Sequence, residues 1–227
     1  MEPTAPRALL KLRDISKSYH RGAFDIPALR GITLAFNTGD FVGISGPSGS
    51  GKSTLLNIIG LTESPDHGEM TLDDVVVNFS NSEALRLLRR SSVGYIFQAF
   101  NLLSGLSAAE NVAISLILNQ ETPSAALTKA RSLLAEVGLG ARTEHLPHQL
   151  SGGEMQRVAV CRAIIHQPKV ILADEPTGNL DSLAGGLVLD ILKTQARQGV
   201  LILMASHNSE ALGACSRVVQ LRDGVCL

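Results

Sequence analysis

The stretch Phe41-Val42-Gly43-Ile44-Ser45-Gly46-Pro47-Ser48-Gly49-Ser50-Gly51-Lys52-Ser53-Thr54-Leu55-Leu56-Asn57-Ile58-Ile59 decides how the chain is read. Its middle, from Gly46 to Thr54, fits G-x-x-x-x-G-K-[ST], the phosphate-loop pattern. Phe41–Ile44 predicts a short strand. Leu55, Leu56, Ile58 and Ile59 fall on one side of a predicted helix beginning after Lys52. Strand, glycine-rich turn and helix amino terminus are the context the pattern needs. Glycines let backbone N–H groups close round phosphate oxygens with no Cβ in the way. The helix amino terminus adds a field that favours anions. On this reading Gly46, Pro47, Ser48, Gly49, Ser50 and Gly51 wrap a phosphate chain, and Thr54 completes the motif. Lys52 reaches the β- and γ-phosphates and the Ser53 hydroxyl holds Mg2+. A Gly/Ser-rich turn with a chance lysine is the bland alternative, and the flanking strand and helix argue against it.

Working outward, the last third of the chain carries two continuous apolar runs, Val170–Ala173 and Val200–Ala205. Strands buried on both faces of a parallel sheet look like this. A predicted helix over Ser182–Ala196 lies between them and makes a βαβ unit. Earlier, Leu9–Leu12, Ile32–Phe36 and Glu69–Phe79 predict further strands, and 82–90, 107–118 and 123–137 predict helices. In open parallel sheets, functional groups collect at the carboxyl ends of the strands. Three predicted strands end in polar residues: Ser45-Gly46, Asp174-Glu175 and Ser206-His207.

Two adjacent acids at a strand end are usually a solvated turn. Beside a phosphate loop they can divide two jobs, supporting a divalent ion and activating a water. Asp174 and Glu175 are read that way here. His207 stands at another strand end, whereas His20, His67, His145, His148 and His166 have no such placement. Gln98 closes the short run Tyr95-Ile96-Phe97 and could contact Mg2+ or a water. Ser151-Gly152-Gly153-Glu154 opens another helix. Ser151 with Glu154 is a capping box, which explains the helix start but not the two glycines. Glycines there expose N–H groups to an anion that approaches closely, which makes a second phosphate-binding feature.

Composition bounds the rest. The chain has 227 residues, 44% hydrophobic and 18% charged, with a net charge of −1. The low charge and a mean hydropathy of +0.18 argue against disorder. No apolar run approaches the roughly 18 residues of a membrane span, and the opening residues lack the apolar core of a secretory signal. A balanced charge offers no general attraction for nucleic acid. Cys161, Cys215 and Cys226 have no metal-ligand spacing and are expected to be reduced, buried thiols of a cytosolic protein.

The constellation resembles the nucleotide-binding subunit of ATP-binding cassette (ABC) transporters, across essentially the whole chain and in the family's motif order. By that similarity GPSGSGKST is the Walker A loop, Gln98 the Q-loop and LSGGEMQ the signature. ILADEP is the Walker B strand, Asp181 belongs to the D-loop and His207 is the switch histidine. Tyr19 matches the aromatic that stacks on adenine. The resemblance implies an α/β fold: a P-loop NTPase (RecA-like) core with a mainly parallel sheet, an antiparallel β-subdomain and an inserted α-helical subdomain. The helical part is expected at about 98–167, with 1–97 and 168–227 forming the core and β-subdomain. It implies ATP and Mg2+ as ligands, with Glu175 as general base. Ser53, Gln98 and Asp174 would lie around the metal, and His207 on the γ-phosphate. It further implies a head-to-tail dimer, of this chain or with a paralogous cassette, in which Ser151, Gly152, Gly153 and Asp181 complete the partner's site.

A finer resemblance runs through Leu56–Leu61, Phe97–Leu103, Glu110-Asn111-Val112 and Pro176–Asp181. It points to the bacterial lipoprotein-release, macrolide-efflux and cell-division subgroup. The implied partner is an integral membrane permease with a large extracytoplasmic domain, and the implied location is the cytoplasmic face of the inner membrane. Ser104-Gly105 and Asn208 depart from the subgroup's usual Pro and Asp. The alternatives are a non-transport ATPase regulating a membrane or cell-division complex, and one acting on nucleic acid. Against the latter stand the absence of basic extensions or paired cassettes and the net charge of −1.

Overall fold

Four largely buried apolar strands form the centre of the molecule, and a fifth, mostly exposed strand runs beside them. They are β3 (Phe41–Ser45), β6 (Val93–Ile96), β7 (Val170–Asp174), β8 (Leu201–Ala205) and the more amphipathic β9 (Arg217–Arg222). All five run parallel, and β10 (Val225–Cys226) closes one edge antiparallel to β9, in the order β10-β9-β3-β8-β7-β6. β8 is buried at every residue, as a central parallel strand requires. The computed structural model describes residues 8–22 and 24–227. Among the described residues no helix is long and apolar enough to cross a membrane.

A second, antiparallel sheet has the order β2-β1-β4-β5, from β1 (Ala8–Arg21), β2 (Phe24–Asn37), β4 (His67–Leu72) and β5 (Val75–Val76). The segment Glu69–Phe79, expected as one strand, is broken. Asp73 and Asp74 both take positive φ, 50° and 59°, and turn the chain back on itself. Aspartate tolerates that region better than most residues, and two in succession make a tight hairpin turn. β1 runs nine residues past the expected Leu12, because its polar outer half pairs with β2 without needing burial.

Helices pack on the parallel sheet and beside it. They are α1 (Lys52–Ile59), α2 (Ser82–Ser92), α3 (Ala108–Leu118), α4 (Pro123–Glu136), α5 (Gly152–Ile164), α6 (Ser182–Arg197) and α7 (Ser209–Gly213). One apolar cluster joins α1 to the antiparallel sheet and one face of the parallel sheet. A second packs α6 on the other face, around Ile171, Val188, Leu192 and Ile202. A third is built mainly from α3, α4 and α5, around Val112, Leu116, Ala130, Leu134 and Val158, with Leu139 and Leu150 from the segment between α4 and α5. α4 begins on Pro123 and Gly138 lies just past its end, as the sequence predicts. The strands β9 and β10 and the helix α7 are not apparent in the sequence pattern. Of the cysteines only Cys161 is buried; Cys215 and Cys226 are half-buried, and all three are free thiols.

Candidate nucleotide site

The parallel register brings the ends of β3, β7 and β8 level, with Ile44 and Asp174 both paired to Ala205. The residues that follow these strands meet in one open cleft of about 830 Å³, a volume suited to a small-molecule ligand. Gly46 and Gly51 show why the loop needs glycine. Their φ values are 153° and 102°, and an added Cβ would stand 2.2 Å from the Leu221 carbonyl and 2.4 Å from the Ala28 carbonyl. Gly51 opens α1 with no side-chain cap, so the first-turn N–H groups face the cleft mouth as donors for an anion. Lys52 Nζ donates to the Gly46 and Pro47 carbonyls at 2.8 and 2.9 Å, which holds the ammonium over the loop.

The acidic side of the cleft is built around Asp174 and Glu175. Ser53 Oγ donates to Asp174 Oδ2 at 3.1 Å. Burial raises the Asp174 carboxyl above the usual Asp value, and the Glu175 charge adds to this, while the Ser53 hydrogen bond and Lys52 oppose it. Glu175 has a φ of 47°, outside the strand geometry. Its N–H donates to the Ala205 carbonyl at 2.9 Å. Its carboxylate is held at both oxygens: Ser206 Oγ donates to Oε2 at 3.2 Å, and His207 Nδ1 lies 2.7 Å from Oε1. The Glu175 side chain is 13% exposed and that of His207 75%, so the histidine covers the acid from the solvent side. Asn208 caps α7 by accepting from the N–H groups of Glu210 and Ala211. An aspartate would accept the same bonds, so this departure leaves the site's geometry intact.

Of the expected residues, Tyr19, Gly46, Pro47, Ser48, Gly49, Gly51, Lys52, Ser53, Thr54, Gln98, Asp174, Glu175 and His207 line this cleft. Ser50 is in the loop but buried, at 2% exposure. Ser151, Gly152, Gly153 and Asp181 lie elsewhere. Ser151 caps α5 in a reciprocal box with Glu154, whose carboxyl is held below the usual Glu value first by the Ser151 backbone N–H. Asp181 caps α6, accepting from Ala184 N–H at 2.8 Å. Gly153 has a packing reason: a Cβ there would stand 2.9 Å from that of Ala184, so the amino termini of α5 and α6 touch. Gly152 meets nothing closer than 3.9 Å and is the glycine left open to an approaching group.

Sequence reasoning missed the wall formed by Ile26, Pro27 and Ala28, which belongs to the antiparallel sheet and lines the cleft only through tertiary packing. It also missed two ties from α5. Buried Gln156 donates to the Pro176 carbonyl at 2.8 Å, next to Glu175. Arg162 donates to the Phe100 and Asn101 carbonyls at 2.9 and 2.5 Å, just beyond Gln98. Phe100 and Asn101 both have positive φ, which turns their carbonyls toward the guanidinium. No pattern in the local sequence marks either tie.

A parallel sheet, a glycine loop closing on a helix amino terminus and a carboxylate pair across from it define a phosphate-loop nucleotide-binding protein. The sequence profile of the ABC transporter family matches residues 29–178. The chain belongs to that family, as an ATP-binding cassette. It is 43% identical over 216 residues to the ABC transporter ATP-binding protein MJ1508 of Methanocaldococcus jannaschii, covering 95% of this chain and 96% of that one. It is 42% identical over 220 residues to the lipoprotein-releasing system ATP-binding protein LolD 1 of Rhodospirillum rubrum, covering 96% and 97%. The macrolide export ATP-binding/permease protein MacB of Bdellovibrio bacteriovorus is 42% identical over 217 residues, but the chain spans only 33% of its length. Among solved structures, the dimeric post-hydrolysis state of the cassette MJ0796 bound to ADP and Pi superposes with a TM-score of 0.89. That pair shares 37% identity, and the match covers 96% of both chains.

Proposed function

We propose that this cassette hydrolyses ATP as a head-to-tail dimer and thereby drives a separate membrane permease of the lipoprotein-release and macrolide-export type. The observation that carries the reading is the grip on Glu175. One carboxylate is fixed at both oxygens, beside the Ser53–Asp174 pair and across from a lysine held over a glycine loop. A base held this way can take a proton from a water aligned on a terminal phosphate. His207 orients the base on one side, and its exposed edge would be free to meet a phosphate bound in the cleft. The loop N–H groups and Lys52 stabilise charge on the phosphate oxygens.

The donor set also suits Mg2+. Ser53 Oγ, Asp174 Oδ2 and the Gln98 amide are hard oxygen donors, and Mg2+ is commonly held by one carboxylate with phosphate oxygens. When bound, the ion would neutralise phosphate charge and relieve the repulsion between Asp174 and Glu175. Tyr19 serves the base end of the cleft.

Ser151, Gly152, Gly153 and Asp181 form one surface outside the cleft, which supports their service to a second copy. α3 to α5, within about 98–167, form the lever between nucleotide and permease, which their separate apolar cluster supports. The exposed Leu103 beside Ser104 and Gly105 is the surface offered to the permease. On this reading the protein sits peripherally at the cytoplasmic face of the inner membrane, its permease carries a large extracytoplasmic domain, and nucleic acid is no partner. The test is phosphate release with ATP and Mg2+, for the wild type and for Glu175→Gln. Equal rates would remove Glu175 from its role.

A further inference from the structure

Tyr19 stands in the cleft wall 39% exposed, and an aromatic ring so exposed is free to turn unless something holds it. Its hydroxyl donates to Glu63 Oε2 at 2.7 Å and lies 3.2 Å from Thr54 Oγ1. Thr54 is in the first turn of α1, and Glu63 follows that helix's last turn. The tether is itself braced. Lys17 Nζ is 3.8 Å from Glu63 Oε1, 3.0 Å from Asp66 Oδ1 and 5.9 Å from the centre of the Tyr19 ring. Asp66 Oδ2 accepts from the Ser18 N–H at 2.7 Å, so the strand is pinned one residue before the tyrosine. Across the hairpin the register partner of Tyr19 is Ile26. Opposed residues of an antiparallel pair share a face, with Cβ atoms about 5 Å apart. Ile26 is 47% exposed and lines the same cleft.

We propose that Glu63 is the positioning residue of a nucleobase subsite: by accepting the Tyr19 hydroxyl it locks the ring beside Ile26, and the pair presents one apolar platform to a purine. The inference rests on the nucleotide reading above and deepens it. Its physical content is a fixed span. Helix α1 carries the phosphate loop at its amino end and Glu63 just past its carboxyl end. Base and phosphate subsites are therefore tied together through Thr54 in the first turn of α1 and through Glu63 in the turn after it, whose N–H bonds back to the Asn57 carbonyl. Ordering the ring before the base arrives removes a cost that binding would otherwise carry, equivalent to about threefold to tenfold in affinity.

The experiment is calorimetric titration of the full chain with ATP and with inorganic tripolyphosphate, which carries the phosphates and no base. Glu63→Ala and Tyr19→Phe are each expected to weaken ATP about fivefold and to leave tripolyphosphate unchanged. Glu63→Gln keeps an accepting oxygen and is expected to stay within about twofold of wild type. The double variant is expected to be no worse than either single one, because both break the same bond. Should Glu63→Ala not fold, Tyr19→Phe reads the same bond by removing only the hydroxyl. Wild-type ATP affinity in Glu63→Ala or Tyr19→Phe overturns the inference, as does equal loss for both ligands or multiplication of the two effects. If the wild type binds neither ligand, the nucleotide reading fails and the subsite with it. If it binds both equally well, only the base subsite fails.

Discussion

Glu175 owes its position to three contacts from β8 and the residues after it: its N–H to the Ala205 carbonyl, and its two oxygens to Ser206 and His207. Glu175→Gln keeps the shape and removes the base. Phosphate release is expected to fall by roughly 10² to 10³-fold, with ATP affinity little changed and an ATP-dependent dimer accumulating on size-exclusion chromatography. Asp174 makes a separate prediction. Its raised pKa means that the fold disfavours its charge. The cost is fully present above the raised value and absent below the ordinary Asp value of 3.8. Asp174→Asn is therefore expected to raise the melting temperature of the nucleotide-free protein at neutral pH. The gain should shrink as the pH falls through the raised pKa. A lower melting temperature at neutral pH would show that the Ser53 and Lys52 contacts outweigh burial.

At the scale of elements, the loop beyond Gln98 is held by side chains as well as by its own backbone turns. Asn111, fully buried on α3, accepts from the Leu103 N–H and donates to the carbonyls of Leu103, Leu106 and Ser107. Asn111→Ala removes the partner of the Leu103 N–H and of the Leu106 carbonyl, while the Leu103 and Ser107 carbonyls keep the backbone N–H groups of Leu106 and Asn111. It is expected to cost about 2–4 kcal/mol, read as a lower urea midpoint. Cleavage by protease within 103–107 is expected to quicken as well. The sequence showed Asn111 only as part of a resemblance. Its physical role needed the fold, because a buried amide announces itself through the carbonyls it meets and not through its neighbours in the chain. The phosphate loop was the opposite case. Its glycines, its lysine and the strand and helix around it are contiguous, so local conformation and chemistry could be read together.

Over the whole molecule the expected site divides in two. The cleft gathers the phosphate loop, Gln98, Asp174, Glu175 and His207, while Ser151, Gly152, Gly153 and Asp181 share a surface where α5 and α6 begin. In a dimer the second surface would serve the partner's cleft. Ser151→Arg is expected to abolish hydrolysis by the dimer and to leave ATP binding by the monomer within about twofold. An arginine there blocks an approach without touching the chain's own cleft. Weakened monomer binding, measured by the same titration, would count against a shared site.

What the amino-acid sequence by itself determined was a set of features carried by neighbours along the chain, though not the Asp73-Asp74 turn that breaks Glu69–Phe79. The phosphate loop, the acidic strand end, the Ser151–Glu154 capping box and the continuous apolar strands follow from local sterics, hydrogen-bonding capacity and burial on two faces. Only the tertiary structure decided which of these meet. The parallel register sets Asp174 level with Ala205, just before Ser206 and His207, the β1–β2 hairpin brings Tyr19 and Ile26 over the loop, and α5 reaches back through Gln156 and Arg162. These contacts join residues tens of positions apart. Their energy comes from packing and from pairing buried polar groups, and that pairing exists only once the chain has folded.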